Sequence, residues 1–260
     1  MKNEADFFNS IAPRIIQLVE SFEGKASVSV SKLHGDFATE VDIAVENLIV
    51  DEISKLFPND EIMAEEGHSD TAIPAGRIWI IDPICGTTNI GRGMKNFCTN
   101  IALADHEVLI ASCVVDHSQN DYFWSVGDSK VYINDKLSIR PIRPEGFGTA
   151  IDIDLGCLNF TEPKVVQKHI KAVHKLLIED NFALVSLNTS LGFAYTAIGK
   201  LDGFISAYNH PWDICASMFL IQQSGGVTSD LAGNTWTIAS NQAIAAINPV
   251  IHRKLLRTYC

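Results

Sequence analysis

The feature that most constrains this chain is a short apolar run that ends in Asp-Pro. Residues 77–81 read RIWII, contain three β-branched side chains and are bounded by Gly76 and Pro83. An apolar run of this length between two chain breakers predicts a buried β-strand. The carboxyl group of Asp82 therefore sits where a buried strand ends.

The residues after Asp82 indicate a ligand site. Gly86, Thr87 and Thr88 follow within one turn, and glycine allows the backbone to approach a ligand closely. If a short helix begins at Thr87, its free N–H groups point at an anion. A carboxylate beside an anion needs a cation between them, and Mg²⁺ prefers oxygen ligands. The segment indicates metal-assisted phosphate chemistry, although a plain strand-to-turn boundary is the alternative.

Hydrophobic periodicity predicts two helices and then a run of strands in the first half of the chain. The helices span about 5–22 and 41–57, and Gly24 follows the first. The predicted strands are 62–64, 77–81, 100–104, 108–115 and 121–126. Turn residues at 127–128 and 134–135 indicate an antiparallel meander.

The second half alternates strand and helix, which is typical of an α/β layer. Strands are predicted at 148–152, 182–187, 203–207 and 243–247, and helices at 163–177, 191–198, 213–224 and from Pro249 onward. We therefore expect two domains. Residues 1–140 would form an N-terminal α+β domain with an antiparallel sheet, and residues 141–260 a C-terminal α/β domain with the Trp-Asp motif. No shift in composition marks this boundary, so it depends on the pattern alone.

Charge and composition exclude several classes of protein. The net charge is −11, which disfavours binding to nucleic acid or to anionic membrane surfaces. No apolar run approaches the roughly 18 residues of a membrane helix, and the N-terminus does not resemble a secretory signal. The six cysteines form no CxxC pair, which argues against a zinc ribbon and a disulfide framework. We expect a cytoplasmic protein with reduced, mostly buried thiols.

Acidic residues collect in four short segments at the ends of predicted elements. They read GDFATEVD at 35–42, AEEG at 64–67, IDPICGTTN at 81–89 and PWD at 211–213. Each has a structural alternative. Thr39 and Asp42 fit a helix capping box, Glu65 fits a solvated turn, and Asp213 fits a helix cap.

Taken together and in this order, the four segments resemble the inositol monophosphatase family of Mg²⁺-dependent phosphatases. The resemblance covers nearly the whole chain. The family signature W-x-x-D-P-x-D-G-T-x-N reads WIIDPICGTTN at 79–89, and the signature W-D-x-A-A-G reads WDICAS at 212–217, with Gly225-Gly226 downstream. The resemblance implies a mixed α and β fold, the five-layered αβαβα sandwich of the inositol monophosphatase and fructose-1,6-bisphosphatase type, usually as a homodimer.

The resemblance also implies roles for individual residues. Glu65, Asp82 and the carbonyl of Ile84 would hold one Mg²⁺, and Asp82, Asp213 and the residue at position 85 would hold a second. The family implies two or three metal sites in all. Asp42 and Thr87 would orient the attacking water. Gly86, Thr87 and Thr88 would bind the phosphate, chiefly through the N–H groups of Gly86 and Thr87, and Lys32 would approach on a loop.

Position 85 departs from the family, because Cys85 stands where the family has a metal-ligating Asp. A thiol is soft and mostly protonated at neutral pH, so the second Mg²⁺ should bind weakly, and Zn²⁺ or another softer ion could replace it. Further departures are Thr189, Ser206, Ser217 and Gln223, of which Ser206 replaces a family Glu seven residues before Asp213. Thr189 and Ser206 weaken the expectation of inositol selectivity.

Two functional hypotheses follow. The first is a Mg²⁺-dependent phosphomonoesterase similar to inositol-1-monophosphatase, acting on a small phosphate monoester. Its substrate stays open among inositol phosphate, fructose bisphosphate, histidinol phosphate and 3′-phosphonucleotides. The second is a catalytically impaired family member that acts as a binding or regulatory protein. Bacterial relatives have been linked to the RNA polymerase machinery, so a protein partner is permitted, whereas direct nucleic-acid binding and membrane binding are not expected.

Overall fold

Seven strands form the first sheet, and β4 lies near one edge of it. The computed structural model describes residues 3–22, 28–31, 37–69, 75–141, 148–156, 162–178 and 182–259. The strands lie in chain order and are β3 (Glu61–Ala64), β4 (Arg77–Cys85), β5 (Cys98–Asp105), β6 (Val108–Asp116), β7 (Asp121–Ser125), β8 (Tyr132–Ile133) and β9 (Lys136–Leu137). All neighbours are antiparallel except β3 and β4, which are parallel. The predicted meander is confirmed.

Strand β4 is buried on both faces, as its sequence predicts. Side chains alternate across a strand, so Ile78 and Ile80 face one hydrophobic core while Trp79 and Ile81 face another. The second core contains helices α1 (Glu4–Ser21) and α2 (Glu40–Leu56). The indole N–H of Trp79 donates to Asp60 at 2.9 Å, which satisfies its only polar group.

A second sheet of five strands contains both parallel and antiparallel pairs. Its order is β11 (Ala183–Val185), β10 (Ala150–Ile153), β12 (Gly203–Ser206), β14 (Ala243–Ala246) and β13 (Val227–Ser229). Strand β10 is parallel to β11 and β12, whereas β14 is antiparallel to β12 and β13. Strands β12 and β14 also send alternate residues into two cores, with Phe204 on one side and Ile205 on the other.

The sheets and helices stack in five layers. Helices α5 (Leu191–Ala197) and α6 (Pro211–Gln223) lie between the two sheets and share one core with both. Helices α4 (Pro163–Ile178) and α7 (Pro249–Arg257) cover the outer face of the second sheet, and α1 and α2 cover that of the first. This is the predicted αβαβα sandwich. The division into domains at residue 140 stays a prediction.

Several short elements were not predicted. Strands β1 (Val28–Ser31) and β2 (Phe37–Thr39) form a separate antiparallel pair, and β8, β9 and β13 extend the sheets. Each has two to four residues, too few to establish a period of two. The four-residue helix α3 (Thr87–Ile90) begins where predicted. Lys32 and Gly24 lie outside the described residues.

Helix α6 begins two residues earlier than predicted, at Pro211 instead of Asp213. Proline is well suited to the first helical turn because its missing N–H costs nothing there. Asp213 then occupies the third helical position, and its carboxylate accepts the N–H of His210 at 2.6 Å. The helix-cap reading of Asp213 is therefore confirmed.

The described cysteines match the prediction of reduced, mostly buried thiols. Cys85, Cys98, Cys113 and Cys215 are free thiols, and all but Cys85 are buried.

Among the helices in the described ranges, none combines the length and the apolar character that crossing a membrane requires.

Asp152 on β10 is a buried carboxyl group in the second half. One oxygen accepts the N–H of Leu187 at 3.2 Å, and the other has no hydrogen-bond partner within the described residues. Gly192 packs against it so closely that any side chain at position 192 would collide with Asp152 and Phe204. Burial raises the pKa of Asp152 to about 7, and the nearby Asp154 adds to this effect.

We expect this raised pKa to lower stability as the pH rises. Between the unfolded pKa near 3.9 and the folded value of about 7, the unfolded chain has lost the proton while the folded chain keeps it. The free energy of unfolding should therefore fall by about 2–3 kcal/mol between about pH 5 and pH 8 through this residue. Urea unfolding of Asp152→Asn should show a flatter pH profile than the unmodified chain. Asp51→Asn, on the exposed face of α2, is the control and should leave the profile unchanged.

Candidate metal and phosphate site

Asp82 lies inside the buried part of β4, because the strand continues to Cys85 instead of ending at residue 81 as predicted, and Asp82 is 1% exposed. Its Oδ1 atom is buried and has no hydrogen-bond partner among the described residues. Burial raises the pKa of Asp82 well above its ordinary value, and the neighbouring Cys85, Glu65 and Asp213 raise it further. An unsatisfied buried oxygen surrounded by further acidic groups is costly, and a bound cation would relieve that cost.

Glu65 and Asp213 reach Asp82 from two other elements. Glu65 follows β3, which runs parallel to β4, and its backbone N–H donates to the carbonyl of Ile81 at 3.2 Å. Asp213 lies in the first turn of α6, and the side-chain amide of Asn100 on β5 donates to its carbonyl at 3.3 Å. Sheet pairing and this hydrogen bond bring together three carboxyl groups that are distant in sequence.

Asp42 both caps helix α2 and contacts the segment after β4. Its Oδ2 accepts the backbone N–H of Thr39 at 2.9 Å and also the Thr39 hydroxyl, so the predicted capping box is confirmed. The Thr87 hydroxyl lies 3.4 Å from its Oδ1 and 3.1 Å from the carbonyl of Ile84, so these two acceptors share its single proton. Burial raises the pKa of Asp42 to about 6, although the bonds from Thr39 oppose the rise.

Gly86 makes the turn between β4 and α3. Its φ is +108°, and a Cβ atom there would lie 3.2 Å from the carbonyl oxygen of Asn96 and from the Cβ atoms of Phe97 and Thr189. The positive φ therefore favours glycine, and a side chain at this position would also be in tight contact with these three atoms. Asn89 holds the turn in place, because its side-chain amide donates to the carbonyls of Asn96 at 2.6 Å and Leu187 at 2.9 Å.

Cys85 is half-buried beside Asp82 and is held by the segment that precedes α5. The N–H of Ser190 donates to its Sγ at 3.2 Å, and the hydroxyl of Thr189 donates to its carbonyl at 2.8 Å. The neighbouring Cys98 thiol and burial raise the pKa of Cys85 well above its ordinary value. The group at position 85 is therefore a neutral thiol at neutral pH.

The structure brings the predicted site residues into two adjoining groups. Glu65, Cys85 and Asp213 surround Asp82, while Asp42, Thr87 and the Ile84 carbonyl form the second group. Thr88 is exposed on α3. Ser206 is fully buried, and its single hydroxyl proton is shared between Asp154 at 3.0 Å and the carbonyl of Tyr208 at 3.1 Å, so the hydroxyl is engaged within the protein.

Several supporting residues could not be recognised from their own sequence context. Asn89, Asn100 and Ser190 hold the turn, helix α6 and Cys85 in place, respectively. Of these three residues, only Asn89 has a recognisable sequence signal, because it stands at the end of the first signature. The contacts of Asn100 and Ser190 join strand β5 and helix α5 to residues about 90 to 113 positions away.

The residues at the site have the chemistry that Mg²⁺ requires. Glu65, Asp82 and Asp213 provide carboxylate oxygens, which Mg²⁺ prefers over sulfur. In the part of the chain that the structure describes, no three His, Cys, Asp or Glu side chains are already arranged as a metal cage. Two observations support a cation at this site: acidic groups surround Asp82, and its Oδ1 has no hydrogen-bond partner among the described residues.

Comparisons with known proteins agree with the family resemblance. The sequence profile described as "Inositol monophosphatase family" matches residues 4–260. A fructose-1,6-bisphosphatase/inositol-1-monophosphatase of Thermotoga maritima is 29% identical over 222 residues, which are 85% of this chain and 82% of the relative. Nus factor SuhB of Escherichia coli is 29% identical over 245 residues, which are 92% of this chain and 88% of the relative. A solved IMPase structure from Thermotoga maritima has a TM-score of 0.83 at 25% identity and covers 99% of this chain and 97% of that one.

We expect Mg²⁺ to stabilise the folded chain through Asp82. At a Mg²⁺ concentration ten times the dissociation constant, the gain is about 1.4 kcal/mol, or a rise in Tm of roughly 3–6 °C. The metal binds the ionised carboxylates, and the pKa of Asp82 is raised, so the shift in Tm should be larger at higher pH. Thermal unfolding with and without Mg²⁺ measures both effects.

Asp82→Asn should lose most of this shift. The matched control is Asp105→Asn, at the opposite end of β5 from the site, which should keep it. Equal Mg²⁺ shifts in the two variants would mean that the cation binds elsewhere.

Proposed function

The chain belongs to the inositol monophosphatase family, and on that premise we propose that it is a Mg²⁺-dependent phosphomonoesterase that hydrolyses a small phosphate monoester. Members of this family are Mg²⁺-dependent phosphatases. The observation that carries the proposal is the buried, unpartnered Oδ1 of Asp82, with Glu65 and Asp213 beside it and the Gly86 turn directly after it.

The role of the carboxyl groups would be to bind Mg²⁺ next to the phosphate. Glu65, Asp82 and Asp213 would hold Mg²⁺, together with the carbonyl of Ile84. When bound, the cation supplies Lewis-acid stabilisation of the negative charge that develops during phosphate-ester hydrolysis. Without it, three acidic side chains would repel the phosphate of the substrate.

Asp42 and Thr87 would position the attacking water. The Thr87 hydroxyl lies between Asp42 and the Ile84 carbonyl, so a water beside it would contact a hydrogen-bonding group of fixed orientation. The pKa of Asp42 is about 6, so its carboxylate is ionised at neutral pH and can accept a proton from that water. Thr39 keeps the other oxygen of Asp42 occupied, which limits rotation of the carboxylate.

The Gly86 turn would receive the phosphate. In the first turn of a helix the N–H groups have no acceptor within the helix, so those of Gly86, Thr87 and Thr88 suit phosphate oxygens. Because Gly86 lacks a side chain, an anion can approach this backbone closely. The turn is rigid, since Asn89 and Thr189 tie it to the segment before α5.

Substrate selection stays open within the class of small phosphate monoesters. Ser206 stands where inositol phosphatases of the family carry Glu, and its hydroxyl is turned to Asp154 and Tyr208. We therefore propose that inositol 1-phosphate is not the preferred substrate. The relative from Thermotoga maritima is named for two different phosphate esters, which supports a broad panel of candidates.

Cys85 favours a second candidate function, that of an impaired phosphatase acting as a regulatory protein. The thiol is neutral and replaces an expected carboxylate of the second metal site. The relative from Escherichia coli is named a Nus factor, so a protein partner is a consistent alternative. The homodimer and the cytoplasmic location likewise stay predictions.

Phosphate release over a Mg²⁺ titration tests the proposed enzyme. The panel contains inositol 1-phosphate, fructose bisphosphate, histidinol phosphate and a 3′-phosphonucleotide. We expect Mg²⁺-dependent release from at least one, loss of it in Asp82→Asn and retention in Asp105→Asn. Absence of release from every ester at every Mg²⁺ concentration would favour the regulatory function.

Cys85→Asp should raise the Mg²⁺-dependent kcat by at least about tenfold, because a carboxylate replaces a neutral sulfur at the second metal position. Cys113→Ser, a buried thiol on β6 away from the site, is the control and should not change kcat. The count of bound metals, from Mn²⁺ titration followed by electron paramagnetic resonance, should rise in Cys85→Asp alone. If neither the count nor kcat changes, Cys85 does not limit the site.

A further inference from the structure

Two thiols face each other on neighbouring strands next to Asp82. Cys85 on β4 and Cys98 on β5 are direct partners in the antiparallel register, immediately after an irregularity in the β4–β5 pairing. Opposed residues of antiparallel strands have Cα atoms about 4.5–5.5 Å apart, which is within the range that a disulfide spans. The backbone therefore already has the separation that a bond between these two sulfurs needs.

The two thiols also share one polar neighbour. Both contact Ser190, whose N–H lies 3.2 Å from Cys85 Sγ and whose hydroxyl lies 3.3 Å from Cys98 Sγ. One residue thus touches both sulfurs, which keeps them on the same side of the two strands.

The thiols differ in access to solvent. Cys85 is half-buried at the site, whereas Cys98 is fully buried behind it. A small oxidant would reach Cys85 first, and Cys98 would be the nearest group able to react with the oxidised sulfur.

We propose that Cys85 and Cys98 form a reversible modification site, which hydrogen peroxide closes to a disulfide. The Cys85 thiol, which is neutral at rest, loses its proton as its sulfur attacks one peroxide oxygen. The O–O bond breaks, the departing hydroxide takes up that proton, and a sulfenic acid and one water result. The Cys98 sulfur then attacks the Cys85 sulfur, the S–O bond breaks, and a second water leaves. The two thiols give up two electrons and two protons in all, and the peroxide accepts them.

The other described cysteines do not have this arrangement. Cys113 on β6 is opposite Ile101 and Trp124, and Cys215 is buried in α6. Closure at Cys85 would remove its thiol from Asp82 and tie the end of β4 to β5, next to the Gly86 turn. This inference concerns the thiol pair itself and does not depend on the proposed phosphatase activity.

The test treats the reduced, full-length chain with hydrogen peroxide, blocks the remaining thiols under denaturing conditions and maps peptides by mass spectrometry. We expect a peptide linked through Cys85 and Cys98, at least about tenfold more abundant than any other linked pair, and its loss on reduction with dithiothreitol. A link of Cys85 to another cysteine, or oxidation of Cys85 to sulfinic acid without a link, would overturn the proposal. So would survival of both thiols when other cysteines are oxidised, or when peroxide oxidises none.

Two variants complete the experiment. In Cys98→Ser the linked peptide should disappear, and Cys85 should accumulate as a sulfenic acid that dimedone traps. In Cys113→Ser, the matched control, the Cys85–Cys98 link should form as in the unmodified chain. Circular dichroism checks that each variant is folded, and the result with the unmodified chain stands whether or not Cys98→Ser folds. A link that also decreases in Cys113→Ser would contradict the specific pairing.

Discussion

The cost of burying the carboxyl group of Asp82 is the constraint on which the rest of the site depends. Strand β4 is buried on both faces between the layers, so Asp82, which lies within its buried part, is withdrawn from water. The chain then gathers further acidic groups around it instead of basic ones. This cluster of acidic groups lowers the stability of the protein without a bound cation. It is explained by a site that takes up a cation from solution.

Helix capping and site chemistry use the same side chains. Asp42 caps α2 and Asp213 caps α6, and each also turns toward the end of β4. The structural and functional interpretations of these acids are therefore compatible. Capping fixes the orientation of each carboxylate through a backbone N–H, and a fixed orientation is what a preorganised site needs. The positions at which α2 and α6 begin therefore also fix the orientation of two carboxylates of the site.

The sequence predicts the long elements well because they depend on local patterns. The periodicity of α2 and the apolar run of β4 can each be recognised in a short stretch of sequence. The order of the layers was implied by the family resemblance. Strands of two to four residues, such as β8 and β13, carry no such pattern. The roles of Ser190 and Cys98 depend on which strands and loops become neighbours, so they cannot be read from the residues around them. The family resemblance identifies Ser206 only by its position seven residues before Asp213, and only the structure shows its bonds to Asp154 and Tyr208.

The central helix layer has a consequence for how the chain is made. The inner face of the first sheet, with Ile78 and Ile80, packs on α5 and α6, which come from residues 191–223. On a ribosome the first sheet is complete long before these helices emerge. Its inner apolar face stays uncovered for the time needed to add more than fifty residues beyond β9. The nascent chain therefore exposes a hydrophobic surface during synthesis, of the kind that molecular chaperones bind.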